Sequence, residues 1–166
     1  GNYLKITTID QYMFSHRMKV MSEQETIEGW SPPTKEECEE ILRSVRSVAI
    51  VGVSTNPGRP SNEVAQYLCE NATNYEIYFV NPTTTEVLGQ PCFPSLSDLP
   101  VVPDLVDVFR KLEDVPGVAQ ESVDIGAQVF WTQFDLWSPE AAKLILDAGM
   151  KLVMDRCLKI EYARFF

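Results

Sequence analysis

The chain has 166 residues, of which 45% are hydrophobic and 23% charged, a composition typical of one globular domain large enough to bury a core. Its formal charge of −10 disfavours a nucleic acid or an anionic membrane as partner, because both usually call for a basic surface. No apolar run reaches the roughly 20 residues that span a bilayer, and no segment has the pattern of a secretory signal. A small anionic ligand remains compatible with this charge, since a few local cations can reverse the field inside one cleft.

Four cysteines lie far apart, without a CxxC pair: Cys38, Cys69, Cys92 and Cys157. With His16 as the single histidine, the chain offers no Cys/His set at zinc-ligand spacing, and we expect no metal site. Scattered cysteines favour a reducing compartment, so we predict a cytoplasmic protein. Because the sequence starts at Gly1 rather than Met, an organelle reached after cleavage of an N-terminal peptide stays open as an alternative.

The first predicted helix follows an N-terminal extension. Residues 1–30 have weak periodicity and are interpreted as an extension, either partly disordered or docked as an arm, while residues 31–166 form the domain. In "SPPTKEECEEILRSVRS", Thr34 and Glu37 have the spacing of a capping box, and the apolar positions from Cys38 to Val45 share a face. "SVAIVG" then predicts a strand that is covered on both sides.

Strand-like and helix-like segments alternate from there to the end of the chain. Strands are predicted at "EIYFVNP", "LVDVFR", "AQVFW" and "KLVMD", with an irregular connection or short strand at "QPCFPSLSDLP". Helices are predicted after caps at Ser61 and Ser138, and over residues 116–126. Short apolar strands separated by helices predict an α/β fold with a doubly wound, mainly parallel sheet flanked by helices.

The loop after the first strand, "GVSTNPGRPS", is longer than a bare connection needs. Ligands of doubly wound sheets lie outside the carboxyl ends of the strands. Gly52 permits a sharp turn, Ser54 and Ser61 offer hydroxyls, and Arg59 supplies a planar cation before a helix N-terminus. These features favour a phosphate-binding loop over a simple turn.

The pattern of this loop disfavours NAD(P). A dinucleotide site calls for GxGxxG and for an acidic residue after the second strand. The chain has only Gly52 and Gly58 in the loop, and a neutral Asn81-Pro82-Thr83-Thr84-Thr85 after the second strand. A neutral, hydroxyl-rich loop suits a phosphorylated ribose better than a free diol, because no carboxylate repels the phosphate. An NADP site would usually add an arginine there, which this loop lacks.

Six stretches from about residue 44 onwards come in a recognisable order and spacing: "VAIVGVSTNPGRPS", "YFVNP", "LGQPCFPSLSDLP", "DLVDVFR", "VFWTQF" and "VMDRCLKIEY". In these stretches the chain resembles the small stand-alone coenzyme A-binding proteins, whose Rossmann-like domain is related to that of the succinyl-CoA synthetase α subunit. Leu158 departs from the family pattern, which has proline after the cysteine of "DRC". The resemblance implies contacts with CoA from Gly52, Val53, Ser54, Arg59, Pro60, Asn81, Pro82, Val108, Phe109, Arg110, Trp131 and Gln133.

The chemistry of CoA agrees with these loops. Its ribose 3′-phosphate and pyrophosphate suit Arg59, a helix N-terminus and threonine hydroxyls. Its long pantetheine arm suits a groove walled by Phe109 and Trp131, although ordinary core packing explains two aromatic residues equally well. Arg110 ends a buried strand, and we expect it to face the cleft or to pair with an acid.

Cys157 is the weak catalytic candidate. It follows the last strand between Arg156 and Lys159, and neighbouring cations favour a reactive thiolate. No histidine lies nearby to act as base, and the charged residues Asp155, Arg156, Lys159 and Glu161 also resemble an internal salt-bridge network. Asp107, inside the apolar "LVDVF", must be paired or exposed, and is expected to orient Arg110 or cap a loop.

The sequence therefore predicts a protein that binds CoA or an acyl-CoA as a carrier, sensor or regulatory module. An enzyme is the main alternative, either an NAD(P)-linked oxidoreductase or an acyl transferase using Cys157. An interaction module with a vestigial ligand loop is the third. The expected partner is a small nucleotide ligand, neither nucleic acid nor membrane. A homo-oligomer or a partner enzyme subunit stays open.

Overall fold

The computed structural model describes residues 24–166, and its centre is a seven-stranded sheet. The strands are β1 (Ser47–Val51), β2 (Glu76–Val80), β3 (Glu86–Val87), β4 (Gln90–Phe93), β5 (Leu105–Val108), β6 (Val129–Thr132) and β7 (Lys151–Val153). Their order is β3-β4-β2-β1-β5-β6-β7, and every pair is parallel except β3 with β4. The predicted doubly wound, mainly parallel sheet is confirmed.

Five α-helices in the described part of the chain cover the two faces of the sheet. They are α1 (Lys35–Ser44), α2 (Pro60–Asn71), α3 (Val115–Ile125), α4 (Pro139–Asp147) and α5 (Leu158–Phe165). Helices α1, α2 and α5 pack with one set of strand side chains, and α3 and α4 pack with the other. Among residues 24–166, no helix is long and apolar enough to cross a membrane.

The helix starts follow the capping residues in two cases out of three. Thr34 and Glu37 form the predicted capping box of α1, and the Ser138 hydroxyl accepts a hydrogen bond from Ala141 N at the start of α4. The predicted cap at Ser61 is wrong. Helix α2 begins at Pro60 with Arg59 in the N-cap position, and the Ser61 hydroxyl instead accepts from Ser54 N at 2.9 Å.

The strand order reverses between β1 and β5. From β1 the chain proceeds outward through β2 to β4, and then crosses back to place β5 on the other side of β1. The chain leaves β1 and β5 toward opposite halves of the sheet, and in this topology ligand sites form at the carboxyl edge beside such a reversal. All five residues of β1 are buried, as expected for a strand covered on both faces.

The described part of the N-terminal segment packs against the α3/α4 side of the sheet. Ile27 is buried in the core of that side, and Trp30 donates to the carbonyl of Leu152 in β7 at 3.1 Å. The Trp30 ring also lies 5.6 Å from that of Trp137. The rest of the predicted extension, with His16, lies outside the described residues, so the boundary at residue 30 stays a prediction.

Helix α5 has no counterpart in the sequence-based assignment, which ends at the last strand. It begins directly after Cys157, and Leu158 is its first residue. Proline is well tolerated at the first position of a helix, so Leu158 departs from the proline implied by the resemblance at a position where either residue can begin α5. Leu158 is fully buried, so its side chain adds to the core.

Candidate functional site

The loops after β1 and β5 touch at the point where strand order reverses. Gly52 has φ +90°, and its N–H donates to Val80 O at 2.8 Å. A Cβ atom at this position would overlap the backbone carbonyl of Phe109. Glycine is thus required both for its conformation and for the close approach of the two backbones.

The first loop is held in place by its own side chains. The Ser54 hydroxyl accepts from Asn56 N at 3.0 Å, and Asn56 Oδ1 accepts from Gly58 N at 2.9 Å. Asn62 Nδ2 donates to Ser54 O at 2.9 Å from the first turn of α2. These bonds present the loop and the start of α2 in one fixed arrangement, which lowers the entropic cost of binding a ligand.

A cleft of about 940 Å³ opens above this loop on the side of the sheet that carries α2 and α5. It is bounded by the β1 loop and α2, by the residues that follow β5 and β6, and by the start of α5. The lining residues are Gly52, Ser54, Arg59, Pro60, Ser61, Glu63, Val64, Phe109, Arg110, Gln133, Phe134, Asp135, Leu136, Cys157, Lys159 and Ile160. The volume lies within the range of cofactor sites.

Three cations lie around the cleft, and they differ in their ion pairs. Arg110 pairs with Asp114 at 3.1 Å, and Lys159 pairs with Glu63 at 3.2 Å, which joins α5 to α2. Arg59 is exposed and forms no salt bridge within residues 24–166. Its guanidinium is therefore the cation most available to an anionic ligand.

A buried polar group lies next to the cleft. The Asp107 side chain is fully shielded from solvent, and its Oδ1 accepts a hydrogen bond from Gln133 Nε2 at 2.7 Å. Its Oδ2 has no hydrogen-bond partner. Burial raises the pKa of Asp107 to about 8. The expectation that Asp107 orients Arg110 is wrong, because Arg110 pairs with Asp114.

The structure brings many of the sequence-predicted residues into the cleft. Seven of them line it: Gly52, Ser54, Arg59, Pro60, Phe109, Arg110 and Gln133. Val53 and Val108 are fully buried beside it, and of the two aromatic residues only Phe109 borders the groove. Trp131 is fully buried in the core, and its ring N–H donates to Arg156 O at 2.8 Å.

The Asn81-Pro82 corner supports the first loop from the side and is not part of the cleft wall. Asn81 Nδ2 donates to Val53 O at 2.8 Å, while its Oδ1 accepts from Thr83 N and from Thr83 Oγ1. Asn81 thus uses its side chain within the protein. A direct contact of Asn81 and Pro82 with CoA remains a prediction from the family resemblance.

Several lining residues escaped the sequence analysis. Lys159 and Ile160 were missed as lining residues because α5 was not recognised, although Lys159 was noted as a cation near Cys157. Glu63 and Val64 lie one helical turn after Arg59 and Pro60, and this spacing is the signal that places them on the same face of α2. Phe134, Asp135 and Leu136 follow Gln133 in the loop after β6.

Cys157 lines the cleft but does not have the properties of an activated nucleophile. It is largely buried, and burial raises the pKa of its thiol to about 11. Lys159 does lower the pKa of this thiol, as expected of a neighbouring cation, but burial has the larger effect and the net pKa is raised. The charged residues around Cys157 are held by several contacts: Asp155 accepts from Asp135 N, Arg156 donates to Pro33 O, Lys159 pairs with Glu63, and Glu161 pairs with Arg164.

Among residues 24–166, no cluster of His, Cys, Asp or Glu side chains could hold a metal ion. The charged and buried polar groups of the site include the cations Arg59, Arg110 and Lys159, the carboxylates of Glu63 and Asp135 on the wall, and the buried Asp107 carboxyl below the floor. Such an arrangement can bind an elongated anionic ligand whose other end is uncharged.

Comparison with known proteins identifies the domain. The model of the CoA binding domain family matches residues 46–163, which is most of the chain. The chain belongs to this family. The resemblance seen in the loop sequences is thereby confirmed.

The relatives of this CoA-binding domain include stand-alone proteins and larger ligases. The chain is 39% identical over 131 residues to YneT, an uncharacterized protein of Bacillus subtilis, and the match covers 79% of this chain and 96% of YneT. It is 32% identical over 123 residues to the ADP-forming acetate–CoA ligase I of Archaeoglobus fulgidus. That match covers 67% of this chain and only 17% of the ligase.

Solved structures share the fold over the same region. A hypothetical protein from Pyrococcus horikoshii OT3 is 36% identical, with a TM-score of 0.77 over 84% of this chain and 99% of that one. A Thermus thermophilus protein is 31% identical, with a TM-score of 0.75 over 81% of this chain and all of its own. The Rossmann-like, single-domain architecture is thus shared with small stand-alone proteins.

Proposed function

We propose that the cleft at the carboxyl edge of the sheet binds coenzyme A or an acyl-CoA, and that the protein acts as a carrier, sensor or regulatory module. Membership of the CoA-binding domain family supports CoA as the ligand. The observation that carries the proposal is Arg59, an exposed arginine without a salt bridge among the described residues, at the N-cap of α2 and on the wall of the cleft.

The donor set fits the phosphates of CoA. Guanidinium groups bind phosphate oxygens in a bidentate manner, and a helix N-terminus favours negative charge. Arg59 combines both features, because it directly precedes the first helical residue of α2. Lys159 adds a further cation from α5, paired with Glu63 of α2.

The apolar part of the cleft fits the pantetheine arm. Val64, Phe109, Leu136 and Ile160 lie on the wall and provide a surface for a long, weakly polar chain. Gln133 adds an amide that can bond to the amides of that arm. The remaining family contacts, at Val53, Asn81, Pro82, Val108 and Trp131, are proposed as support for the walls.

A binding role is favoured over catalysis by the state of Cys157. Its thiol stays protonated near neutral pH because burial raises its pKa to about 11, so we do not assign it as a nucleophile. The ADP-forming acetate–CoA ligases contain this domain as a small part of their length. Any catalytic use of the bound ligand is therefore proposed to require a partner enzyme subunit.

Isothermal titration with CoA, NAD⁺ and NADP⁺ tests the proposal. We expect saturable binding of CoA alone, and we expect Arg59→Ala to weaken it by about tenfold or more, the effect of losing one charge-assisted contact. Arg46→Ala is the matched control. It removes the same charge from an exposed position before β1, at the opposite edge of the sheet, and should change the affinity less than twofold.

The alternatives give different results in the same experiment. Heat from NAD⁺ or NADP⁺ without heat from CoA would indicate the oxidoreductase. No binding of any of the three would leave an interaction module with a vestigial loop. Turnover of an acyl-CoA that is lost in Cys157→Ala would indicate the acyl transferase.

A further inference from the structure

Asp107 leaves one carboxyl oxygen without a partner inside the protein. Its Oδ1 is bonded to Gln133 Nε2 at 2.7 Å, and its Oδ2 is buried and unbonded. A polar atom in this state is costly unless a bound group supplies the missing hydrogen bond. The unbonded oxygen therefore points to a ligand group as its partner.

Burial and the absence of a cationic partner among the described residues favour the neutral form of the Asp107 carboxyl, which can donate a hydrogen bond. No salt bridge from any residue between 24 and 166 compensates its charge, and burial favours the neutral acid. Burial raises the pKa of Asp107 to about 8. Because Oδ1 accepts from Gln133, Oδ2 is the oxygen left to carry the proton of the neutral acid, and it has no hydrogen-bond partner in the described part of the protein.

Asp107 faces the side of the sheet on which the cleft opens. Alternate residues of a strand share a face, so Asp107 and Phe109 point to one side. In the neighbouring strand Trp131 is the register partner of Asp107, and Gln133 follows two residues later on the same side. Phe109 and Gln133 both line the cleft, so Asp107 lies beneath its floor.

Charge is divided between the mouth and the floor of the cleft. Arg59 is exposed and Lys159 is half-buried, whereas Asp107, Gln133 and Cys157 are buried. The two titratable groups of the floor are both protonated near neutral pH, since burial raises the pKa of Cys157 to about 11. An acyl-CoA has the same division, with phosphates at one end and an uncharged thioester at the other.

We propose that the Asp107 carboxyl, whose Oδ1 stays bonded to Gln133, donates a hydrogen bond from Oδ2 to the carbonyl oxygen of an acyl-CoA thioester that enters beside the Gln133 side chain, and thereby selects acyl-CoA over free CoA. A thiol is a weak hydrogen-bond acceptor and does not replace the carbonyl. The inference rests on the proposed CoA site and adds the class of ligand: a thioester rather than the free thiol.

The test compares three ligands on the unmodified protein by isothermal titration: CoA, acetyl-CoA and S-ethyl-CoA. S-Ethyl-CoA is a thioether of nearly the same size as acetyl-CoA that lacks the carbonyl. We expect acetyl-CoA to bind about tenfold more tightly than S-ethyl-CoA, the effect of one buried hydrogen bond. This comparison needs no variant and is therefore independent of any folding defect.

Two substitutions then assign the preference to Asp107. Asp107→Asn keeps the shape and a side-chain donor, and should keep a preference for acetyl-CoA. Asp107→Leu keeps the branched shape and the number of side-chain heavy atoms without a polar atom, and should bind acetyl-CoA and S-ethyl-CoA equally while retaining the affinity for free CoA. Circular dichroism and the free-CoA affinity report whether each variant is folded.

The outcomes separate this inference from the proposed function. Equal binding of acetyl-CoA and S-ethyl-CoA by the unmodified protein would overturn the inference and leave CoA binding intact. Equal weakening of all three ligands by Asp107→Leu would also overturn it, because the bonded carbonyl would then belong to a pantetheine amide that all three share. Failure to bind any of them would refute the proposed function itself.

Discussion

Strands β1 and β5 are neighbours along their whole length, yet their two ends are built differently. At the amino-terminal end, Asp104 Oδ2 accepts from Arg46 N at 2.8 Å and from Ser47 N at 3.3 Å. The Ser47 hydroxyl in turn accepts from Asp104 N at 2.9 Å. Every one of these polar groups is used to hold the two strands together.

At the carboxyl-terminal end, these strands and the loop after β1 contain polar groups that lack a bonding partner among the described residues. Gly52 takes a positive φ so that its backbone can lie against Phe109, and Asp107 retains an unbonded oxygen. Arg59 forms no salt bridge within the described residues. The contrast teaches that one end stabilises the fold, and that the other gives up stability to keep groups available for a ligand.

The largest expected effect comes from disrupting the backbone contact between Gly52 and Phe109 at the carboxyl-terminal end of the strands. Gly52→Ala should lower the free energy of unfolding by roughly 3 kcal/mol or more, since it adds the strain of a positive φ to an overlap with Phe109. It should also abolish CoA binding. Urea denaturation and titration calorimetry measure the two effects.

Gly126→Ala is the control for that substitution. Gly126 has a similar φ, +82°, but a Cβ there meets nothing within 4 Å. It should cost only about 1–2 kcal/mol, the strain alone. Equal destabilisation by the two substitutions would show that the approach of the loops after β1 and β5 carries no steric constraint.

The next effect is a pH dependence of stability that comes from the buried Asp107 carboxyl at the carboxyl-terminal end of the strands. Between pH about 4 and about 8, unfolded Asp107 has released its proton whereas native Asp107 retains it, because burial raises its folded pKa from 3.8 to about 8. Its contribution to the free energy of unfolding therefore falls as pH rises, by up to about 1.4 kcal/mol per pH unit, and levels off above pH 8.

Urea denaturation at pH 5, 6 and 7 checks this slope. Asp107→Asn cannot ionise, so the difference in stability between it and the unmodified protein should change across these pH values. Asp124→Asn removes the same charge at an exposed position of α3 and serves as control. Parallel pH curves for the unmodified protein and Asp107→Asn would mean that Asp107 is ionised in the native state.

The smallest effect is expected at the amino-terminal end of β1 and β5. Asp104→Ala leaves the N–H groups of Arg46 and Ser47 without their carboxylate, and should lower the free energy of unfolding by about 1–3 kcal/mol. CoA affinity should stay within twofold, because the change lies at the opposite edge of the sheet. A large loss of affinity with normal stability would contradict the division between the two ends.

The elements themselves were largely predictable. The capping residues Thr34 and Ser138 and the glycine stop after α3 are local signals, and the structure uses all three. Two local assignments failed for different reasons. Ser61 bonds to a loop residue instead of capping α2, and α5 was hidden because the charged residues from Asp155 to Glu161 suggested a salt-bridge network rather than a helix start.

The site residues that directly follow one strand or begin a helix could be predicted from the sequence. Arg59, Phe109 and Gln133 come directly after strands or at a helix start, and all three line the cleft. The roles of Trp131 and Asp107 were not predictable. Trp131 is in the core because α1, α2 and α5 cover its face of the sheet, and Asp107 is unpaired because its neighbours on adjacent strands, Ile50 and Trp131, offer it no salt bridge.

The sequence by itself determined most of the strands and helices up to the last strand, the mainly parallel sheet and the loop that carries Arg59, because caps, turns and apolar runs are local signals. Only the tertiary structure decided which loops meet and which groups stay unsatisfied. Gly52 touches Phe109 across 57 positions of chain because β5 returns beside β1. Burial, which no single stretch encodes, gives the Asp107 carboxyl and the Cys157 thiol their raised pKa values.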